Sequence, residues 1–424
     1  MKNVYLLTTF KIVEGKSAGS ARLMNIARAL AGGGCRVYLC SSTLNQSINE
    51  SAVVPVEENI FRVGSEENST TSLLHRIKNR FFNLFATYFF LRDISRFIRQ
   101  HQGQQAIYYY PDTEFSMDLL VWAYLKRKQG FNIYADINEL RKTMLGNRCY
   151  ARNPLKKTYQ FFSFKIEGAQ YRLAEKMSRF YDGLVVISTN LEKYFAGYNR
   201  NLLRIPILSN CPEEKAPLPP AYAGLSFEIG FTGQLATRKE GFENFYQALS
   251  MVSKSYPQIK LNLYGPIYEP VERELLLDLL PARYGLSGKI SYHGNIDQRL
   301  VENVLKSQHL LVLPRPLNPQ THFGFSTKLS EYLASGTPVL ITDVSDNALY
   351  IQDGVSGLVV PPGDPSEMAR KIITLIQHYQ ELAPKLSANG FLVAQQHFHY
   401  KNYQQALTNF FFKSRKQITD QSST

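Results

Sequence analysis

The stretch His322-Phe323-Gly324-Phe325-Ser326-Thr327-Lys328-Leu329-Ser330-Glu331-Tyr332-Leu333-Ala334-Ser335-Gly336-Thr337-Pro338-Val339-Leu340 writes a loop, a helix and a strand in succession. Ser326 and Thr327 suit the N-cap of the helix, Gly336 its end, and Pro338 the opening of a buried strand. Backbone N–H groups near Ser326, Thr327 and Lys328 would then point out of a helix start, where positive dipole and unpaired donors attract an anion such as phosphate. Glu331, about one turn further in, would repel phosphate but is placed to accept hydrogen bonds from a sugar diol, as a nucleotide ribose is held. Phosphate and ribose together point to a nucleotide. The same residues also read simply as a capped amphipathic helix.

The alternation continues on both sides of this stretch. Apolar runs at 226–231, 260–264, 290–292, 310–314 and 337–342 read as strands, with a helix at 243–252 among them. In the first half the runs are 3–9, 36–40, 106–110, 131–135 and 183–187, separated by helical patterns at 21–30, 117–128 and 169–179. Gly32-Gly33-Gly34 stops the first helix and makes 3–40 one strand–helix–strand unit. With 424 residues, two domains of roughly 200 residues each are expected. The proline-rich segment from Cys211 to Pro220 is the natural boundary. The expectation is therefore two Rossmann-like α/β domains, 1–211 and 225–392, a linker at 212–224, and a last helical segment 393–424 that packs back toward the first domain and ends in a tail. Ligands of open parallel sheets bind outside the carboxyl ends of strands, so chemistry is sought in the turns there and in the cleft between the sheets.

A formal charge of +13 calls for acidic partners. Residues 76–99 hold Arg76, Lys78, Arg80, Arg92, Arg96 and Arg99 against the single acid Asp93, interleaved with aromatic side chains; residues 156–172 repeat the mixture. Basic and aromatic residues at helical spacing suit an anionic membrane surface, and equally a helix with a core-facing aromatic side and a solvated basic side. The membrane surface is the expected partner and nucleic acid is not. The longest apolar run, 81–91, is too short to span a bilayer, and the four cysteines show no metal spacing. With no secretion-type start, a cytoplasmic protein peripheral to the inner membrane face is expected.

In order along the chain, Ala18-Gly19-Ser20, Asp182 to Ser188, Pro206 to Asn210, Thr232-Gly233-Gln234-Leu235-Ala236-Thr237-Arg238-Lys239-Glu240-Gly241, Leu263-Tyr264-Gly265-Pro266, His293-Gly294, the segment quoted first, and Asp353 to Asp364 resemble retaining glycosyltransferases of family four, which have the GT-B fold. The resemblance implies a UDP- or GDP-sugar donor held mainly by the second domain. The acceptor, a glycan or polyprenyl-linked glycan as in cell-surface polysaccharide synthesis, would lie on the first, with retention at the anomeric carbon. It implies no cofactor and no metal: side chains and amides stabilise the leaving diphosphate, with Lys239 and the amides of Thr327 and Lys328 as candidates and Arg238 assisting. Gly19 and Ser20 would meet the donor from the opposite helix start, and Gly265 would either admit a ligand close to the backbone or serve a tight turn.

Glu331 matches the second acid of the family's Glu-x7-Glu pattern, which meets the donor ribose. Phe323 stands where the first acid is expected, beside His322, a candidate for the donor sugar or phosphate. Gln234 replaces a common arginine. Asn138, in Asp136-Ile137-Asn138-Glu139, stands where relatives often have histidine, and it can donate a hydrogen bond but not take a proton. Two other readings stand beside transfer: hydrolysis or epimerisation of the nucleotide-sugar on the same fold, and a non-catalytic nucleotide-sugar-binding relative.

Overall fold

The computed structural model describes residues 1–10, 12, 17–41, 53–63, 73–111, 115–145, 154–212 and 216–412. The chain forms two compact units, one comprising Met1–Ile187, Leu191–Ile205 and Tyr400–Thr424, the other Ser188–Asn190 and Pro206–His399. Between these units the chain passes near 206 and 400. Residues 393–412 are not one helix. The helix Tyr379–Val393 runs on through 398, the backbone turns extended at His399, and a separate helix Gln404–Phe412 belongs to the first unit.

The first unit holds β1 (Lys2–Thr8), β2 (Cys35–Ser41), β3 (Val53–Glu57), β4 (Ile60–Val63), β5 (Gln104–Tyr109), β6 (Ile133–Ile137), β7 (Gly183–Val186) and β8 (Leu202–Arg204). Their order is β3-β4-β2-β1-β5-β6-β7-β8, and only the β3–β4 pair is antiparallel. Pro55 is tolerated in β3 because that strand lies at the sheet edge. Val4 to Leu7 and Leu184 to Val186 are fully buried, as apolar runs covered on both faces should be. Beneath the helix Ala18–Gly32, Arg22 Nε donates to Asp136 Oδ2 at 2.8 Å, and the Tyr108 hydroxyl donates to the same oxygen at 2.6 Å, all out of water. This buried pair ties the first helix to the end of β6.

The second unit holds β9 (Phe227–Thr232), β10 (Ile259–Tyr264), β11 (Ile290–Gly294), β12 (Leu310–Leu313), β13 (Val339–Thr342) and β14 (Leu358–Val360), all parallel, in the order β11-β10-β9-β12-β13-β14. The chain moves outward one way from β9 and the other way from β12. The crevice between the carboxyl ends of β9 and β12 is therefore the switch point at which such sheets take ligands. In the first unit the corresponding point lies between β1 and β5.

The basic, aromatic stretches lie on the helices Leu73–Gln100 and Pro154–Met177. On the first, Phe90 and Phe97 are core residues, Phe89 is exposed with Arg92 stacked on it, and the side chains of 73–86 fall outside those described. On the second, Phe161, Phe162, Ile166 and Leu173 stand in solvent, with Lys165 over the Phe161 ring. Among the described residues no helix is long and apolar enough to cross a membrane.

Candidate functional site

The residues singled out from the sequence gather in two groups, one in each unit and each at its switch point. In the second unit β9 runs into Gly233, and the short helix Thr237–Glu240 carries Arg238, Lys239 and Glu240. Arg238 points to solvent, Lys239 is half-buried, and Glu240 is almost wholly buried. The helix Thr327–Ala334 starts beside them. Lys328, in its first turn, sends its side chain back so that Nζ lies 2.8 Å from Glu240 Oε1 and 4.7 Å from the Phe231 ring centre. Arg315, just beyond β12, closes on the same carboxylate with Nε 3.0 Å from Oε2 and a terminal nitrogen 3.1 Å from Oε1.

This triad accounts for Gly233. Its φ is +113°, and a Cβ there would come within 2.4 Å of Lys328 Cε, so a bare Cα is what lets the lysine pass. Gly265, at φ +130°, would bring a Cβ to 2.1 Å from the Gly233 carbonyl oxygen. Its role is the turn in which β9 and β10 end side by side. The close approach it permits here is to protein backbone.

Burial alone would raise the Glu240 carboxyl, but the Arg315 guanidinium and the Lys328 ammonium outweigh it and hold it well below the usual carboxylate range. Burial pushes the Lys328 ammonium down to about 8, resisted by Glu240 and helped by the charges of Arg315 and Lys239. Lys239 is half-buried on the same short helix as Glu240, the carboxylate that Lys328 reaches. Burial likewise pushes the Glu331 carboxyl up to about 7, against the pull of Lys328. The region therefore combines three cations, two carboxylates and the amides of Thr327 and Lys328, which head a helix and have no preceding turn to receive their hydrogens.

Ser326 holds the N-cap position, but its hydroxyl makes no capping bond; the atom is buried with no hydrogen-bond partner among the described residues. The capping role expected of it is therefore not performed, and the first-turn donors are left to the ligand side. His322 is exposed at the end of the short helix Pro319–Phe323, its ring edge-on to Phe323 at 5.0 Å. Asn190 and Ser188 donate to the carbonyls of His322 and Phe323 at 2.9 and 2.6 Å, tying down this loop.

In the first unit Asn138, half-buried after β6, donates from Nδ2 to the Tyr110 hydroxyl oxygen. Tyr110 lies against Gly19, where a Cβ would stand 3.2 Å from that same oxygen and 3.0 Å from Phe10. Gly19 thus keeps room for two aromatic rings. Ser20 differs from expectation: its N–H donates to the Ser17 hydroxyl, the helix cap, at 3.1 Å, and so is already used within the chain. Tyr110, Arg315 and Glu240 are the residues sequence reasoning missed.

Residues 226–378 match the family model described as glycosyl transferases, group 1. The second unit is a group 1 glycosyl transferase domain. Among curated relatives, a phosphatidyl-myo-inositol mannosyltransferase of Mycolicibacterium smegmatis is 24% identical over 168 residues, 39% of this chain and 40% of the relative. That of Mycobacterium leprae is 24% identical over 163 residues, 38% of this chain and 41% of the relative. The chain thus spans about two fifths of the length of these relatives. Among solved structures, a sucrose-phosphate synthase from Thermosynechococcus elongatus superposes with TM-score 0.66 at 15% identity, covering 99% of this chain and 100% of that one. Anabaena HepE in complex with UDP and glucose gives 0.60 at 15%, covering 99% of each chain. These likenesses, with two Rossmann-like parallel-sheet units, make the fold GT-B.

Glu331 gives the group 1 domain a pH signature. Should this carboxylate hold a nucleoside diol, affinity will rise as pH climbs through about 7, because the carboxyl then becomes a two-oxygen acceptor. Calorimetric titration of the Glu331→Gln variant should show weak binding without that rise; an unchanged rise would assign the titration to another group.

Proposed function

We propose that this chain is a glycosyltransferase that moves a sugar, with retention of anomeric configuration, from a UDP- or GDP-sugar to a glycan or lipid-linked glycan acceptor, as in building a cell-surface polysaccharide. The observation that carries this reading is that, in the second unit, the turn bearing Lys239 and Glu240 is joined through the Glu240–Lys328 pair to the amide-bearing start of the helix that carries Glu331. Breaking a sugar–phosphate bond leaves extra charge on a nucleoside diphosphate. Fixed amide dipoles and a cation placed where that charge develops supply several kcal/mol of stabilisation. Glu331 would hold the ribose, and side chains and amides would serve the diphosphate without metal. The first unit, with Gly19, Tyr110 and Asn138 at its own switch point, would receive the acceptor. Two relatives named as mannosyltransferases of a lipid headgroup, and a neighbour holding UDP and glucose, support this choice.

The test is turnover. Purified chain with UDP- and GDP-sugars and a lipid-linked oligosaccharide extract should release nucleoside diphosphate in step with acceptor elongation. Release without elongation would indicate hydrolysis. Binding without release from any donor and acceptor pair would make the chain a non-catalytic relative, the reading that Phe323 in place of the first acid favours.

We also propose that the protein works peripherally on an anionic membrane through the helix Pro154–Met177. Phe162, Ile166 and Leu173 form one exposed stripe at helical spacing, 61%, 62% and 49% exposed, flanked by Lys165, Arg172 and Lys176. Each basic residue at such a surface adds about 1 kcal/mol. Vesicles containing anionic lipid should sediment the protein at low salt. Glutamate at both 162 and 166 should abolish this while leaving turnover on a soluble acceptor intact; undiminished sedimentation would refute the assignment.

A further inference from the structure

The residue after Gly233 is Gln234, which is exposed and stands where the resembled family often has arginine. The structure assigns its replacement: we propose that the Lys328 ammonium, crossing the bare Cα of Gly233, is the second diphosphate-binding cation, and that Glu240 is its positioning residue. This rests on the reading of the second unit as a nucleoside-diphosphate site.

Three observations carry the proposal. Lys328 belongs to the first turn of the helix whose amides face the anion, so its side chain and that helix start are anchored at the same place. Its stem occupies the volume that any side chain at 233 would fill. Its Nζ is held 2.8 Å from Glu240 Oε1, and Arg315 closes on both oxygens of the same carboxylate, which keeps it from swinging toward the lysine's far side.

The experiment compares nucleoside diphosphates with their nucleosides by calorimetric titration of the full chain. In the wild type, UDP or GDP should bind much more tightly than uridine or guanosine. Lys328→Met should weaken the diphosphate about 10- to 100-fold, the scale of one charge-assisted hydrogen bond, and leave the nucleoside within about twofold. Adding Gln234→Arg to Lys328→Met should restore diphosphate affinity, a rescue that a merely structural lysine would not give. Unfolding curves check that each variant is folded, and Lys328→Gln serves if Met is not. If the wild type binds no nucleoside diphosphate, the reading of the site fails. If it binds one and Lys328→Met and Lys328→Gln keep the preference over nucleoside, or lose both ligands equally without rescue by Gln234→Arg, the role of Lys328 is overturned.

Discussion

Alanine at position 239 is expected to lower kcat/KM for sugar transfer by about 100- to 1,000-fold, the usual consequence of removing one preorganised charge-stabilising group from a site where charge develops. The expectation follows from where Lys239 sits. It is half-buried on the four-residue helix Thr237–Glu240 that follows β9, next to Glu240, whose carboxylate holds Lys328 from the Thr327 helix and Arg315 from beyond β12. Its neighbour Arg238 points to solvent, so Arg238→Ala should change kcat/KM by less than about threefold, as substitutions at exposed charges usually do. Because the diphosphate's charge grows as the bond breaks, the loss at 239 should fall on kcat as well as on KM. Initial rates over a range of donor concentrations measure both. A loss confined to KM would mean that Lys239 only binds the ground state, and equal losses at 238 and 239 would remove any special role from either.

Leucine at position 240 is expected to destabilise the second unit by about 3–5 kcal/mol, because it removes the buried carboxylate that Arg315 and Lys328 share. The two cations respond differently. Lys328, already pushed down to about 8, can shed its proton; Arg315 cannot. Without Glu240 the Lys328 ammonium's proton affinity falls further, so the deficit should shrink as pH rises toward about 8. In the wild type the carboxylate adds a linkage of its own. The Glu240 carboxyl is held below its unfolded value, so its stabilisation is present above about pH 4.5, the ordinary carboxylate value, and is lost as pH falls below that. Replacing all three members by apolar residues of similar volume should recover most of the stability and none of the nucleoside diphosphate binding. Denaturant unfolding of the single and triple variants checks this. A triple variant as unstable as Glu240→Leu would show that the triad serves the fold itself.

Much of the architecture is legible in the sequence because buried parallel strands are continuous apolar runs that end at glycine or polar turns, as at Val4 to Leu7 and at Leu310 to Leu313. The edge elements are not. β3 contains Pro55, and β14 is three residues long, so neither gives a periodic signal. Lys239, Glu331 and the start of the Thr327 helix are readable because their chemistry lies within one or two turns of chain. Glu240 is not: its partners are 75 and 88 residues away, and a glutamate between a lysine and a glycine looks like solvated surface. Ser20 misled for a related reason, since the true cap, Ser17, lies three residues earlier. Tyr110 came into view only when folding set it against both Gly19 and Asn138.

The most direct measurement is a crystal structure of the chain soaked with UDP or GDP. The account predicts phosphate oxygens about 3 Å from the amides of Thr327 and Lys328 and within reach of the Lys239 amine, with the ribose hydroxyls on Glu331. A nucleotide bound elsewhere, or bound there with its phosphates turned away from the Thr327 helix start, would contradict it.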